Sequence, residues 1–113
     1  MSLIGLASKE AITAMSKAIV YFDVDDTLVR SVGTKRVPIP TVVERVRSLH
    51  AEGITMYLWS SGGAEYARNT AAELGIGSCF AGFLPKPTHI VDDQHITEWP
   101  DLKHLHPNQE IVA

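Results

Sequence analysis

The sequence contains little cysteine and no long apolar run, and these absences narrow the class of protein. Cys79 is the single cysteine of the 113 residues, so no internal disulfide can form, as is typical of a reducing compartment such as the cytoplasm. No apolar run reaches the roughly 18 residues of a membrane-spanning helix. The N-terminus has no basic n-region, and Lys9 and Glu10 interrupt its apolar stretch, so we expect neither a signal peptide nor a membrane anchor.

An excess of basic charge is also absent. The formal net charge is −3, so the composition predicts no attraction to nucleic acid or to an acidic membrane. No internal repeat, low-complexity segment or linker divides the chain, and its hydrophobic fraction of 45% is ordinary for a globular protein. We therefore expect a single domain over residues 1–113 with one core.

Residues 1–17 are predicted to be a lead-in, in which residues 8–17 could form a short helix. The strands are predicted to follow it. β-Branched and aromatic residues predict the strands. They fall at 18–23, 54–60, 79–84 and 88–92, with one more short strand near Ile96 or Ile111.

Helices are predicted between the strands. Apolar residues at helical spacing predict one helix at about 40–51, where Pro40 suits the first position, and another at about 64–74. Valines around Gly33 indicate a small hairpin or flap at 29–38. The alternation of strands and helices is typical of an α/β layered fold with a mostly parallel sheet.

Acidic residues cluster directly after the first predicted strand. The segment YFDVDDTLV, residues 21–29, places Asp23, Asp25 and Asp26 within four positions. Like charges that lie this close repel, and each is costly to bury unpaired. A solvated turn and a metal site are therefore both open interpretations.

Polar residues also follow the other predicted strands. Ser60 and Ser61 end the second, Lys86 follows the third, and Asp92 and Asp93 end the fourth. Ligands bind at the carboxyl ends of parallel strands, so we expect these groups to share one crevice. Mg²⁺ suits an excess of carboxylates, while the lysine and the hydroxyls suit an anion. The pattern predicts a phosphate that bridges a metal ion and a lysine.

Each of these features also has a plainer interpretation. A serine after a strand is most often a helix cap, which applies to Ser60 and Ser61. Lys86 lies between two prolines and could be an ordinary surface lysine. The occurrence of all the segments in register favours the metal–phosphate site over these alternatives.

Four segments resemble the motifs of the haloacid dehalogenase superfamily of phosphohydrolases. FDVDDTL resembles its first motif, D-x-D-x-T, and YLWSS its second, a hydrophobic strand that ends in Ser or Thr. PK at 85–86 resembles its lysine motif, and IVDD its acidic fourth motif. They occur in the family's order within residues 18–93. The resemblance implies a Rossmann-like three-layer α/β sandwich with a mostly parallel sheet.

The resemblance implies catalytic roles for two aspartates. Asp23 matches the nucleophile that becomes an aspartyl phosphate, and Asp25 matches the general acid and base. Members that cleave carbon–halogen bonds lack the second aspartate, and transport ATPases carry Thr there, so Asp25 favours a phosphatase. Thr27 matches a residue that fixes the loop. Asp26 stands where the family most often has Gly, and the sequence assigns it no role.

The resemblance also implies the binding residues. Ser60, Ser61 and Lys86 would bind the phosphoryl group. Mg²⁺ would be held by Asp23, by Asp25 (usually through its backbone carbonyl) and by Asp92 and Asp93. The implied activity is Mg²⁺-dependent hydrolysis of phosphomonoesters.

The spacing of the motifs implies a member without a cap domain. The stretches between Thr27 and Ser60 and between Ser61 and Lys86 are too short for the inserted domain of larger members. Capless members tend to accept large substrates or to use a neighbouring subunit as a lid, so a homo-oligomer is compatible with the resemblance. We expect a phosphorylated substrate, either a small molecule or a macromolecule.

Two functions of another class stay open. Two-component receiver domains also combine aspartates, Ser or Thr and Lys around Mg²⁺, but their phosphoacceptor lies mid-chain, and here no Asp occurs between Asp26 and Asp92. A catalytically idle domain that binds a phosphorylated ligand or a partner is the other alternative. The pair of Asp23 and Asp25 argues against it, because an idle site needs no general acid.

Overall fold

The computed structural model describes residues 18–109. The lead-in predicted at 1–17 and the short strand near Ile111 lie outside the described residues. Five strands, two α-helices and two 3₁₀ helices form within this range. They are β1 (Ile19–Asp23), β2 (Val29–Val32), β3 (Lys35–Pro38), α1 (Pro40–Ala51), β4 (Thr55–Ser60), α2 (Ala64–Glu73), a 3₁₀ helix at Gly77–Cys79, β5 (Gly82–Pro85) and a second 3₁₀ helix at Ile96–Glu98.

Three strands form a parallel sheet in the order β1-β4-β5. Tyr21 of β1 lies opposite Tyr57 of β4, which lies opposite Gly82 of β5. Because the strands are parallel, their carboxyl ends meet at one edge, close to Asp23, Ser60 and Lys86. The mixed α/β architecture and the parallel sheet predicted from the sequence are confirmed.

Both helices pack against the same face of this sheet. Met56 and Leu58 of β4 belong to one buried cluster with the apolar residues of both helices. This is expected when the chain crosses from β1 to β4 and from β4 to β5 in one direction through right-handed crossovers. The buried residues of that side form one apolar core with those of the helices. Its largest fully buried members include Leu28, Val42, Val46, Met56, Leu58 and Ile76.

The other face of the sheet is partly open to solvent. Ile19 and Tyr21 of β1 are 63% and 44% exposed. The Tyr21 ring lies 5.2 Å from that of Tyr57 and 4.9 Å from that of Trp59, centroid to centroid. Residues 18–109 thus form two layers, and the third layer implied by the resemblance is not seen within them.

The predicted flap is an antiparallel hairpin. β2 and β3 pair from Val29 opposite Pro38 to Val32 opposite Lys35. Gly33 takes a φ of +63° in the turn, a conformation that glycine adopts without steric cost. The N–H of Ile39 donates to the carbonyl of Leu28 at 2.7 Å and closes the base of the hairpin.

Local signals set the ends of the helices. Pro40 begins α1, as its fixed φ and missing N–H favour. Gly75 follows α2 with a φ of +72°, which ends the helix. Arg47 of α1 donates from Nη2 to the carbonyl of Leu74 at 3.2 Å, so the two helices are linked at this end.

No helix within residues 18–109 is long and apolar enough to cross a membrane.

The strand predicted at 88–92 does not form. Ile90 is half exposed and Val91 is fully exposed, and neither lies in a strand. β-Branched residues favour a strand only where a partner strand and a packed face are available. The strand predicted at 79–84 forms only in part, because residues 77–79 are a 3₁₀ helix and β5 begins at Gly82. Ile96 begins a 3₁₀ helix rather than a strand.

Candidate functional site

A tight turn follows β1 and carries the acidic residues. The carbonyl of Val24 accepts hydrogen bonds from the N–H groups of Leu28 at 2.9 Å and of Val29 at 3.2 Å. Val24 and Leu28 are fully buried and anchor the turn in the core. Asp25 and Asp26 are exposed at its tip. The turn therefore presents carboxylates to solvent at the carboxyl edge of the sheet.

Asp26 has a structural role in this turn. Its φ of +60° lies in the left-handed region, which few residues other than Gly, Asn and Asp adopt readily. Its N–H donates to the carbonyl of Val29 at 2.7 Å. Asp26 is thus the residue at which the chain reverses from β1 towards the hairpin.

Asp23 forms an ion pair with Lys86 at the same edge. The Nζ atom of Lys86 lies 3.6 Å from Oδ1 of Asp23, and the side chains are 41% and 32% exposed. The backbone N–H of Lys86 donates to the carbonyl of Ser60 at 2.8 Å, which holds the lysine beside β4. A carboxylate and an ammonium group therefore face each other, both accessible to a ligand.

Ser60 is buried at the end of β4. Only 1% of its surface is exposed, and its Oγ atom accepts a hydrogen bond from the N–H of Gly62 at 3.0 Å. The hydroxyl therefore stabilises the turn between β4 and α2, although Gly63 rather than Ser60 is the N-cap of α2. Ser61 is exposed on this turn. The assignment of the two serines to a phosphate stays a prediction.

Asp25 is bound by a residue that the sequence did not single out. The phenol of Tyr66, in the first turn of α2, donates to Oδ1 of Asp25 at 2.7 Å. The guanidinium of Arg36, from the hairpin, lies 4.7 Å from the centroid of the Tyr66 ring and donates to Oγ1 of Thr70 at 2.9 Å. The sequence could have indicated Tyr66 as a site residue by its position alone. It lies in the first turn of α2, directly after β4, whose carboxyl end is at the site.

The phenol of Tyr66 keeps its proton at neutral pH. Burial raises the pKa of Tyr66 above its ordinary value of 10.0, and the hydrogen bond to Asp25 raises it further, whereas the positive charge of Arg36 lowers it. The group is therefore a donor, and Oδ1 of Asp25 is the acceptor.

Asp92 and Asp93 lie in an exposed segment after β5. Oδ1 of Asp92 accepts a hydrogen bond from the N–H of Gln94 at 2.8 Å, which closes a local turn. Across residues 18–109, no three side chains of His, Cys, Asp or Glu lie close enough together to hold a metal ion. The structure brings Asp23 to Lys86, but it does not gather Asp92 and Asp93 with Asp23 and Asp25 into one metal cluster.

The residues at the sheet edge still fit Mg²⁺ by their chemistry. Mg²⁺ is commonly bound through one or two carboxylates, with water and phosphate oxygens completing its shell. Asp23, through its carboxylate, and Asp25, through its backbone carbonyl, would supply oxygen ligands from one short segment.

Comparison with known proteins decides the family. The model of the family described as "Protein of unknown function (DUF705)" matches residues 2–108. This chain belongs to the DUF705 family. No curated protein and no solved structure matches it.

The DUF705 match corrects the family predicted from the sequence. The prediction of membership in the haloacid dehalogenase superfamily is wrong, because the match over residues 2–108 is to DUF705 and nothing in the comparisons shows the other family. Four short segments with aspartate, serine and lysine at strand ends carried that resemblance, and such groups recur at many α/β sites. Any role for these residues in the DUF705 chain therefore rests on their own geometry and chemistry.

Proposed function

We propose that this DUF705 protein is a Mg²⁺-dependent phosphatase that hydrolyses phosphomonoesters through an aspartyl-phosphate intermediate at Asp23. The observation that carries the proposal is the pair of Asp23 and Lys86, 3.6 Å apart and accessible at the carboxyl edge of a parallel sheet. A carboxylate nucleophile beside a fixed cation suits attack on a phosphoryl group, whose negative charge the cation offsets.

The reaction proceeds in two displacements. A carboxylate oxygen of Asp23 forms a bond to phosphorus while the bond from phosphorus to the ester oxygen breaks, and Asp25 gives its proton to that oxygen. Asp25 then takes a proton from water as the water attacks phosphorus and breaks the bond to Asp23. Inorganic phosphate leaves, and both aspartates return to their starting states.

The remaining groups bind and orient the phosphate. Lys86 offsets charge on the nucleophile and on the phosphoryl oxygens, and Ser60 and Ser61 would supply hydrogen bonds from the turn after β4. Asp23 and Asp25 would hold Mg²⁺, with Asp92 and Asp93 as further candidates. The bound ion supplies charge neutralisation of the phosphoryl oxygens.

The setting of the site suggests the kind of substrate. Asp25 and Asp26 are exposed, and the turn that carries them lies at the molecular surface, so a large phosphorylated substrate can reach the edge of the sheet.

The single cysteine suits the reducing cytoplasm. A Rossmann-like three-layer sandwich is our proposal for the fold class of the whole domain.

A phosphate-release screen tests the proposal. The full chain is incubated with Mg²⁺ and a broad panel of phosphorylated metabolites and phosphopeptides, with Asp23→Asn as control. We expect release of more than one phosphate per chain from at least one class of substrate, which a stoichiometric phosphoacceptor or an idle binding domain cannot achieve. No release from any substrate, or equal release by Asp23→Asn, would refute the proposal.

Size-exclusion chromatography of the same preparation tests whether the protein is a homo-oligomer.

A further inference from the structure

Tyr66 is held on three sides at the candidate site. Its hydroxyl donates to Oδ1 of Asp25 at 2.7 Å, and the guanidinium of Arg36 lies 4.7 Å from the centroid of its ring. On another side the ring packs against Gly62, where an added Cβ would lie only 2.9 Å from Cδ2 of Tyr66. Thr70, one turn further along α2, accepts a hydrogen bond from Arg36 at 2.9 Å and fixes the guanidinium.

These contacts join three separate parts of the chain. Asp25 belongs to the turn after β1, Arg36 to the hairpin, and Tyr66 to α2, and all three meet at the phenol and its ring. Asp25 is exposed at the tip of its turn, so its carboxylate would rotate freely without a partner. The tyrosine hydroxyl occupies one carboxylate oxygen and leaves the other, Oδ2, for proton transfer.

We infer that Tyr66 is a positioning residue for Asp25, which it holds in the orientation that protonates the leaving oxygen; this inference rests on the proposed phosphatase function. A general acid acts only when it is within hydrogen-bond reach of the leaving oxygen. Arg36 in turn holds the ring of Tyr66, so the hairpin acts on the site through the tyrosine.

The dependence of the rate on the leaving group tests the inference. A nitrophenyl phosphate has a good leaving group that needs little protonation, whereas an alkyl phosphate has a poor one. We expect Tyr66→Phe to lower kcat/KM for the alkyl phosphate at least tenfold and for the nitrophenyl phosphate less than about threefold, because general acid catalysis is worth about 10²–10⁴ in rate. The ratio kcat/KM is the suitable measure because it reports formation of the aspartyl phosphate and not its hydrolysis.

Two further variants separate positioning from a merely structural role. Tyr57→Phe removes a hydroxyl from the open face of the sheet and should change neither value. Tyr66→Phe combined with Asp25→Asn should lose no more activity than Asp25→Asn alone, since the tyrosine acts only through the aspartate. Equal losses for both substrates, or additive losses in the double variant, would overturn the inference.

A stability measurement distinguishes failure of the inference from failure of the proposed function. The urea midpoint of Tyr66→Phe is compared with that of the parent protein, first with Asp25 present and then in an Asp25→Ala background. We expect the hydroxyl to shift the midpoint only when Asp25 is present. If the parent protein hydrolyses no phosphate ester, the proposed function fails and the positioning role with it, even when this coupling is found. An active parent with no coupling refutes the inference alone.

Discussion

The Nζ atom of Lys86 lies 3.6 Å from Oδ1 of Asp23, and this ion pair crosses the carboxyl end of the central strand β4 to link the two outer strands of the parallel sheet. Only a long side chain can span that gap, and the backbone of Lys86 is fixed by its hydrogen bond to Ser60. Both charges are partly hydrated. The pair therefore contributes little to folding and leaves both groups accessible for chemistry.

Replacement of Lys86 should affect activity far more than stability. Lys86→Met keeps much of the length and removes the charge, so we expect kcat/KM to fall about 100-fold, the usual order for loss of one group that stabilises the transition state. The free energy of unfolding should change by less than about 1 kcal/mol, because a partly exposed pair is screened by solvent. Steady-state kinetics and urea unfolding measure the two effects. A large loss of stability together with normal activity would show that the pair is structural.

Replacement of Asp23 should remove the proposed nucleophile. Asp23→Asn leaves an amide that is a very poor nucleophile, so hydrolysis of an aryl phosphate should fall to the uncatalysed background. Asp26→Asn is the matched control, since asparagine also adopts the left-handed conformation and the side chain is exposed. Normal turnover by Asp23→Asn would exclude Asp23 as the nucleophile.

Removal of divalent cations should abolish activity reversibly. EDTA should stop phosphate release and added Mg²⁺ should restore it, whereas Ca²⁺ should substitute poorly because its looser coordination suits in-line transfer less well. If Asp92 or Asp93 contributes a ligand, its change to Asn will raise the Mg²⁺ concentration needed for half-maximal rate. Asp101→Asn, another exposed acidic residue after β5, serves as the control. Full activity in EDTA would contradict the requirement for metal.

The left-handed conformation of Asp26 makes a prediction about stability alone. Asp26→Val places a β-branched residue at a φ of +60° and should lower the free energy of unfolding by about 1–3 kcal/mol. Asp26→Asn should stay within about 0.5 kcal/mol of the parent, as is usual for a compatible surface change. Urea unfolding of the two variants and the parent protein measures these free energies. Equal stability of the valine and asparagine variants would show that the turn does not require this conformation.

Much of the fold was predictable because its signals are local. The alternation of buried and exposed residues in TMYLWS, the proline that begins α1 and the glycine in the hairpin turn each act over a few residues. The strand predicted at 88–92 does not form, because its formation depends on a distant part of the chain. Ile90 and Val91 have strand propensity, but pairing depends on a partner that local sequence does not reveal.

The candidate site was predictable only where backbone topology decides it. The parallel sheet brings the ends of β1, β4 and β5 together, so the approach of Lys86 to Asp23 follows from the order of elements. The contact of Tyr66 with Asp25 joins residues 41 positions apart and depends on side-chain directions. Motif resemblance was a weaker guide, because a few residues at strand ends do not specify a family.

The fluorescence of a tryptophan on the open face of the sheet can be used to detect binding at the candidate site. Trp59 lies directly opposite Asp23 in the register of β1 and β4, and Trp99 is the second tryptophan of the chain. With Trp99→Phe, the emission of the remaining indole would report the arrival of phosphate or a metal ion at Asp23, the register partner of Trp59. Occupancy of the sheet edge could then be followed without a chromogenic substrate and without knowledge of the natural one.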